Sequence, residues 1–248
     1  MKFEKIVFLM ITISICTVLV TTQLQTQDSI SVLVNNSGPY IGTAIPHDYG
    51  FDGSGIIISV IDTGVDFNHP DLLGLGSDGK IIGGYDFVDN DETPQDSNGH
   101  GTQVAGIIAS NGNLKGIAPN SKILAYRVSA DGESVSSDLI IKAIEKSISD
   151  NADIINISLG INQTNTKIDQ IVTKAIQNNI FVVTAAGNFG PESNTIGSPG
   201  LNPNSITVGS TFNNVSSSLV STFKIDDQQF NIFPVSYTHL TLPTNREV

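Results

Sequence analysis

The sequence predicts an α/β domain built on a wound, mostly parallel β-sheet with helices on both faces. Two observations predict it. Six short apolar, β-branched runs recur along the chain without strict polar–apolar alternation, as expected of strands buried on both faces. Between several of them lie stretches whose apolar residues recur at helical spacing, and strands alternating with helices wind into sheets of this class. Ligands of such sheets sit outside the carboxyl ends of the strands, so chemistry is sought there.

The chain opens with Met1-Lys2-Phe3-Glu4-Lys5, followed by fifteen largely apolar residues from Ile6 to Val20. A lysine-flanked run of this length matches a secretory signal better than a membrane span, which needs about 20 apolar residues. No A-x-A site follows, so an uncleaved anchor is the alternative within residues 1–22. The only cysteine, Cys16, falls in this run, without a good lipobox before it. An exported mature domain would therefore hold no disulfide. Polar residues 23–44 read as a linker.

The expected strands follow in order: Ile56–Asp62, Lys80–Val88, Lys122–Val128, Asp153–Leu159, Ile180–Ala186 and Ser205–Ser210. One helix is expected in "SSDLIIKAIEKSISDN", with Leu139, Ile140, Ala143, Ile144 and Ile148 facing inward. A second is expected in "TNTKIDQIVTKAIQNN", where Ile168, Ile171, Val172, Ala175 and Ile176 form the apolar stripe. Thr166 and Asp169 have the spacing of a capping box at its start. There are no internal repeats. With 12 Lys+Arg against 24 Asp+Glu the net charge is -12. A chain this acidic and without a basic run is a poor binder of phosphate backbones, so no nucleic-acid partner is expected.

Three short segments carry chemistry. Asp62 ends the first strand in "VIDTGVD", where an apolar run would leave its carboxylate partly desolvated; Asp-Thr-Gly also suits a simple strand-ending turn. His100 stands between Gly99 and Gly101 in "DSNGHGTQVAG", at the mouth of a small-residue helix. The glycines clear space for a substrate backbone, and an imidazole facing a strand-tip aspartate is a candidate general base. Asn188, in "AAGNFGP" after the fifth strand, could donate its amide to a developing oxyanion. Alone, an asparagine there is better read as accommodating a left-handed turn. "GLGSDG" (Gly74–Gly79) fits G-x-G-x-x-G, but it runs into a strand instead of opening a helix, so no nucleotide cofactor is expected.

Together these segments resemble the subtilisin-like serine protease family. "SVIDTGVDFNHPDL" resembles its aspartate motif, "NGHGTQVAGIIA" its histidine motif, "VVTAAGNFGP" its oxyanion-asparagine segment and "INISLG" its substrate-binding strand, in the family's order between roughly Ile45 and Gly209. The resemblance implies that Asp62 orients His100, that His100 relays the nucleophile's proton, and that Asn188 stabilises the tetrahedral oxyanion. It implies that Ser158, Leu159 and Gly160 pair with an extended polypeptide substrate, with Gly132 to Ser134 at the opposing edge. Gln103 departs from the family pattern, standing where many members carry a second histidine. Asp71 matches a position that binds calcium in some members, but the facing loop "ASNGNLKGIAP" is short and no metal is expected. The segment before the domain is too short to fold alone as an inhibitory propeptide, since chains under about 40 residues rarely fold unaided.

The family's serine is expected after the sixth strand, as G-T-S-x-A opening a long helix. No such stretch occurs in these residues; Ser198 in "GSPG" and Ser210 in "VGST" do not open an apolar helix. The catalytic domain is therefore expected over 45–212, incomplete, followed at 213–234 by a stretch resembling the start of an inserted module. Residues Val235–Thr244 are what GTC TCT TAT ACA CAT CTG ACG CTG CCG ACG encodes, which looks like a transposon end joined to a sequencing-library adaptor. Residues 235–248 are thus expected to be non-native, and His239 is not a candidate base. The expected parent is a secreted or cell-surface serine endopeptidase, touching membrane only through an uncleaved N-terminal segment. The alternative is a non-catalytic, peptide-binding homologue.

Overall fold

The computed structural model describes residues 38–39, 41–72, 74–190 and 193–209, and the backbone of 221–225 and 228–232. The N-terminal run with Cys16, most of the linker, Ser210 and the tail at 235–248 lie outside the described residues. Six strands form one sheet: β1 (Ile57–Asp62), β2 (Ile81–Asp86), β3 (Lys122–Arg127), β4 (Ile154–Ile157), β5 (Phe181–Ala185) and β6 (Ile206–Val208). Their order is β2-β3-β1-β4-β5-β6, and every pairing is parallel. β7 (Ser221–Ile225) and β8 (Gln228–Ile232) make a separate antiparallel hairpin, in the stretch expected to begin an inserted module.

A short helix, α1 (Ala44–Asp48), precedes the sheet, and three longer ones cover it: α2 (His100–Ala109), α3 (Ser137–Ser149) and α4 (Thr166–Gln177). Alternate residues of β1 and β3 enter different cores. Ile61, Leu124, Tyr126, Ile155, Ile157 and Val182 pack with Ile140, Ala143 and Ile144 of α3 and Ile168, Val172 and Ala175 of α4. On the opposite face Val60, Ile123 and Ala125 pack with Ala105 and Ala109 of α2. This is the doubly covered parallel sheet expected from the continuous apolar runs. Leu139, Ile148 and Ile176 lie at the margin of the first core, partly buried.

Among the described residues the α2 face is covered only over β2, β3 and β1. Val60 pairs with Asn156, Asn156 with Val183, and Val183 with Ile206, so these residues share that face. At its far end Ile206 and Val208 are each 53% exposed, and no described helix lies over them.

The start of α4 corrects one expectation. Thr166 is the first residue of the helix, not its cap; Asn165 is the cap. Held extended at φ -129 and ψ 104, Asn165 accepts the backbone N–H groups of Lys167 and Ile168 at 3.0 and 3.3 Å. Asp169 is therefore one position too far along to close a capping box, and its carboxylate accepts the Ser198 hydroxyl at 3.0 Å instead. Asn165→Ala should lower the unfolding free energy by about 0.5–2 kcal/mol in urea titration, whereas Thr166→Ala should not produce a loss of that cause. A cap at Thr166 would show the reverse ranking.

Gly74 to Gly79 form the turn that enters β2, with Ile81 N–H bonded to Gly74 O and Gly76 N–H to Ile81 O. The G-x-G-x-x-G pattern here opens no helix.

Candidate active site

β1 delivers Asp62 to the carboxyl edge of the sheet, where it is fully buried between β3 and β4. Its Oδ1 accepts the Thr63 backbone N–H at 2.7 Å and lies 2.7 Å from His100 Nδ1. Its Oδ2 is buried and accepts no hydrogen bond from the described residues. His100 is the first residue of α2 and its side chain is 48% exposed, so one edge of the ring meets Asp62 and the rest faces the surface. The hydrogen bond to Asp62 raises the His100 pKa above its ordinary 6.5; burial opposes this, and the charges of Asp62 and Asp96 add to the rise.

The glycines flanking His100 have separate reasons. Gly99 adopts φ +107, a left-handed conformation that L side chains rarely take. Gly101 is set by contact: a Cβ there would stand 2.1 Å from Gly64 O and 3.1 Å from Asp62 Oδ1. The absence of a side chain at 101 lets α2 approach the strand tip closely enough for the Asp62–His100 bond.

The remaining expected residues lie at the same edge. Ile61 pairs with Ile157 and Ile157 with Thr184, so Asp62, Ser158 and Ala185 are the next residues along three neighbouring strands. Ser158 Oγ accepts Asn156 Nδ2 at 2.9 Å, Leu159 packs at the core margin, and Gly160 is exposed beside Ser198 O. Asn188 is exposed three residues beyond the end of β5, after Gly187 at φ +90. Gly132 is exposed in the loop after β3 at φ +75, its N–H donating to Ser129 Oγ at 3.0 Å. Asn98 Nδ2 donates to Asp131 O at 2.7 Å, tying that loop to the histidine loop. The structure thus brings Asp62 and His100 into contact and sets the other five in the segments that follow β3, β4 and β5.

Two features bear on alternatives. Ser198 is buried, donates to Asp169 and accepts the Asn165 N–H at 2.9 Å, so its hydroxyl is occupied in holding the start of α4. Asp71 is buried with its carboxylate accepting the N–H groups of Asn113 and Leu114, at 2.8 and 3.2 Å. Among the described residues no group of three His, Cys, Asp or Glu side chains is arranged to hold a metal, and no helix is long and apolar enough to cross a membrane. Sequence reasoning missed Thr63 and Asp96, both hydrogen-bonded into the His100 loop. Their only local signal was a hydroxyl and a carboxylate within the two quoted segments, "VIDTGVD" and "DSNGHGTQVAG".

Residues 53–236 match the model of the subtilase family. The chain is 40% identical over 196 residues to the minor extracellular protease Vpr of Bacillus subtilis (strain 168), covering 75% of this chain and 24% of that protein. It is 40% identical over 199 residues to thermitase of Thermoactinomyces vulgaris, covering 78% of this chain and 68% of thermitase. Its fold is similar to the crystal structure of a cold adapted subtilisin-like serine proteinase, at TM-score 0.57 and 40% identity, over 65% of this chain and 57% of that one. The chain thus spans from about a quarter to about two thirds of the length of these relatives.

Proposed function

Because the chain belongs to the subtilase family, we propose that its parent is an exported serine endopeptidase whose base and orienting acid are His100 and Asp62. The observation that carries this reading is the 2.7 Å bond between His100 Nδ1 and the buried Asp62 Oδ1. With Nδ1 held by the carboxylate, Nε2 is the nitrogen that takes the proton of a serine hydroxyl and later returns it to the leaving amine. The Asn188 amide supplies a hydrogen bond to the oxyanion of the tetrahedral intermediate. Ser158, Leu159 and Gly160 on one side, and Gly132 on the other, flank an extended polypeptide substrate at the strand ends. No cofactor takes part. Export accords with the apolar N-terminal run and with the extracellular relative.

The nucleophile is not among these 248 residues, which hold no G-T-S-x-A stretch. On this reading it lies in the parent polypeptide outside these residues, in a G-T-S-x-A stretch that opens a helix. A serine hydroxyl is a weak nucleophile without its base, and the base has no acyl acceptor without the serine. The chain as it stands should therefore not react with a fluorophosphonate probe, while the parent should be labelled at one serine in G-T-S-x-A. Stoichiometric labelling of Ser198 or Ser210 in this chain would place the nucleophile elsewhere. A parent that binds peptides yet stays unlabelled would be a peptide-binding homologue.

A further inference from the structure

We propose that Asp96 is a positioning residue for His100, joining the strand tip that carries Asp62 to the helix start that carries the imidazole. Its carboxylate accepts five hydrogen bonds. Oδ1 takes the Thr63 hydroxyl at 3.0 Å and the backbone N–H groups of Asn98 and Gly99, each at 2.9 Å. Oδ2 takes the Thr102 N–H at 2.9 Å and the Thr102 hydroxyl at 2.5 Å. These partners bracket His100 on both sides along the chain. Thr63 follows Asp62 directly, and its hydroxyl oxygen accepts the Gly101 N–H at 2.9 Å. One side chain therefore ties together the two backbone segments that carry the Asp62–His100 hydrogen bond.

A carboxylate that only capped α2 would satisfy Gly99 and Thr102 and stop there. The bond from Thr63 goes beyond that role, because it connects the cap to β1. Asp96 also places a second negative charge near the ring, in the direction that favours the imidazolium. The other charged groups around the loop are accounted for. Asp66 accepts the Gln95 amide at 3.2 Å, and its own N–H donates to the Thr102 hydroxyl. Asp131 is exposed and bonded within its own loop. Arg127, beneath Ser97, is paired with Asp86 and Asp89.

The proposal rests on His100 being the base, but its test needs neither nucleophile nor substrate. The 248-residue chain with isotope-labelled histidine is titrated by NMR, and His100 is assigned by the signal that disappears in His100→Gln. Two quantities are read: the titration midpoint of His100 and its low-field Nδ1 proton, which reports the bond to Asp62. In Asp96→Asn both should change, the midpoint falling and the low-field signal weakening, while the circular dichroism stays that of the folded chain. A folded Asp96→Asn with both signals as in the wild type overturns the proposal. If Asp96→Asn does not fold, Thr63→Val cuts the link to β1 and leaves both carboxylates. A weakened low-field signal then supports the proposal, and an unchanged one overturns it. Neither outcome depends on whether the parent cleaves peptides, which fluorophosphonate labelling decides separately.

Discussion

Asp62→Asn should reduce the turnover of the proposed parent protease by about 10⁴-fold while the protein stays folded, as loss of the orienting carboxylate does in serine-protease triads. The carboxylate accepts from Nδ1 at 2.7 Å and so keeps Nε2 free of its proton in the neutral ring. An amide in the same place can present its N–H to Nδ1, which moves the ring proton to Nε2 and leaves no base toward the nucleophile. The same change should appear in the titration of His100 in this chain. In the wild type the bond to Asp62 raises the folded pKa above 6.5. His100 therefore becomes a competent base only above that value, and activity should decline on the acid side of a pH higher than 6.5. For stability the sign is the opposite: the pair's contribution is complete below the unfolded histidine pKa and is lost as pH rises through the folded one. In Asp62→Asn both the raised midpoint and this stability increment should vanish. Turnover within tenfold of wild type, measured at saturating peptide, would remove Asp62 from the mechanism.

Gly101→Ala should destabilise the chain by about 1–3 kcal/mol or more, the usual cost of forcing a methyl group into filled space, and should separate Asp62 from His100. The added Cβ would meet Gly64 O at 2.1 Å, a backbone atom that cannot rotate away. Gly64 is itself confined, at φ +102 with Pro94 O 2.8 Å from where its own Cβ would lie. The remaining relief is a shift of α2 away from β1, and that shift breaks the 2.7 Å bond. Gly106→Ala, on the same helix, meets nothing within 4 Å, and should stabilise by about 0.5–1 kcal/mol because alanine orders into a helix at lower entropic cost. Urea midpoints of the two variants give the comparison. A Gly101→Ala protein as stable as wild type, with its His100 signals intact, would show that the close approach is not required.

The six strands and the helices over 137–149 and 166–177 were legible from the chain because their signals are local. β-branched runs mark strands buried on both faces, and apolar residues three and four apart mark one helix face. The Asp62 and His100 segments were legible for a related reason, since a strand-tip acid and a glycine-flanked histidine are unusual short patterns. The cap of α4 was misread by one residue: Asn165 and Thr166 are both good caps, and only the extended backbone at Asn165 selects between them. The strand order β2-β3-β1-β4-β5-β6 could not be read from the sequence, because parallel pairing is set by how crossover helices pack. That order puts β1 at the centre and so buries Asp62 completely. The role of Ser198 as a brace for α4, the contact that demands glycine at 101, and the bonds from Asp96 to Thr63 and Thr102 were likewise invisible. Thr63 and Asp96 are 33 residues apart, and no local pattern records a hydrogen bond across that separation. Residue types and periodicity determined which elements form and which side chains can act. The distances between those side chains arise only when β1 and α2 close on each other, since hydrogen-bond and steric energies depend on separations that the chain acquires in its tertiary fold.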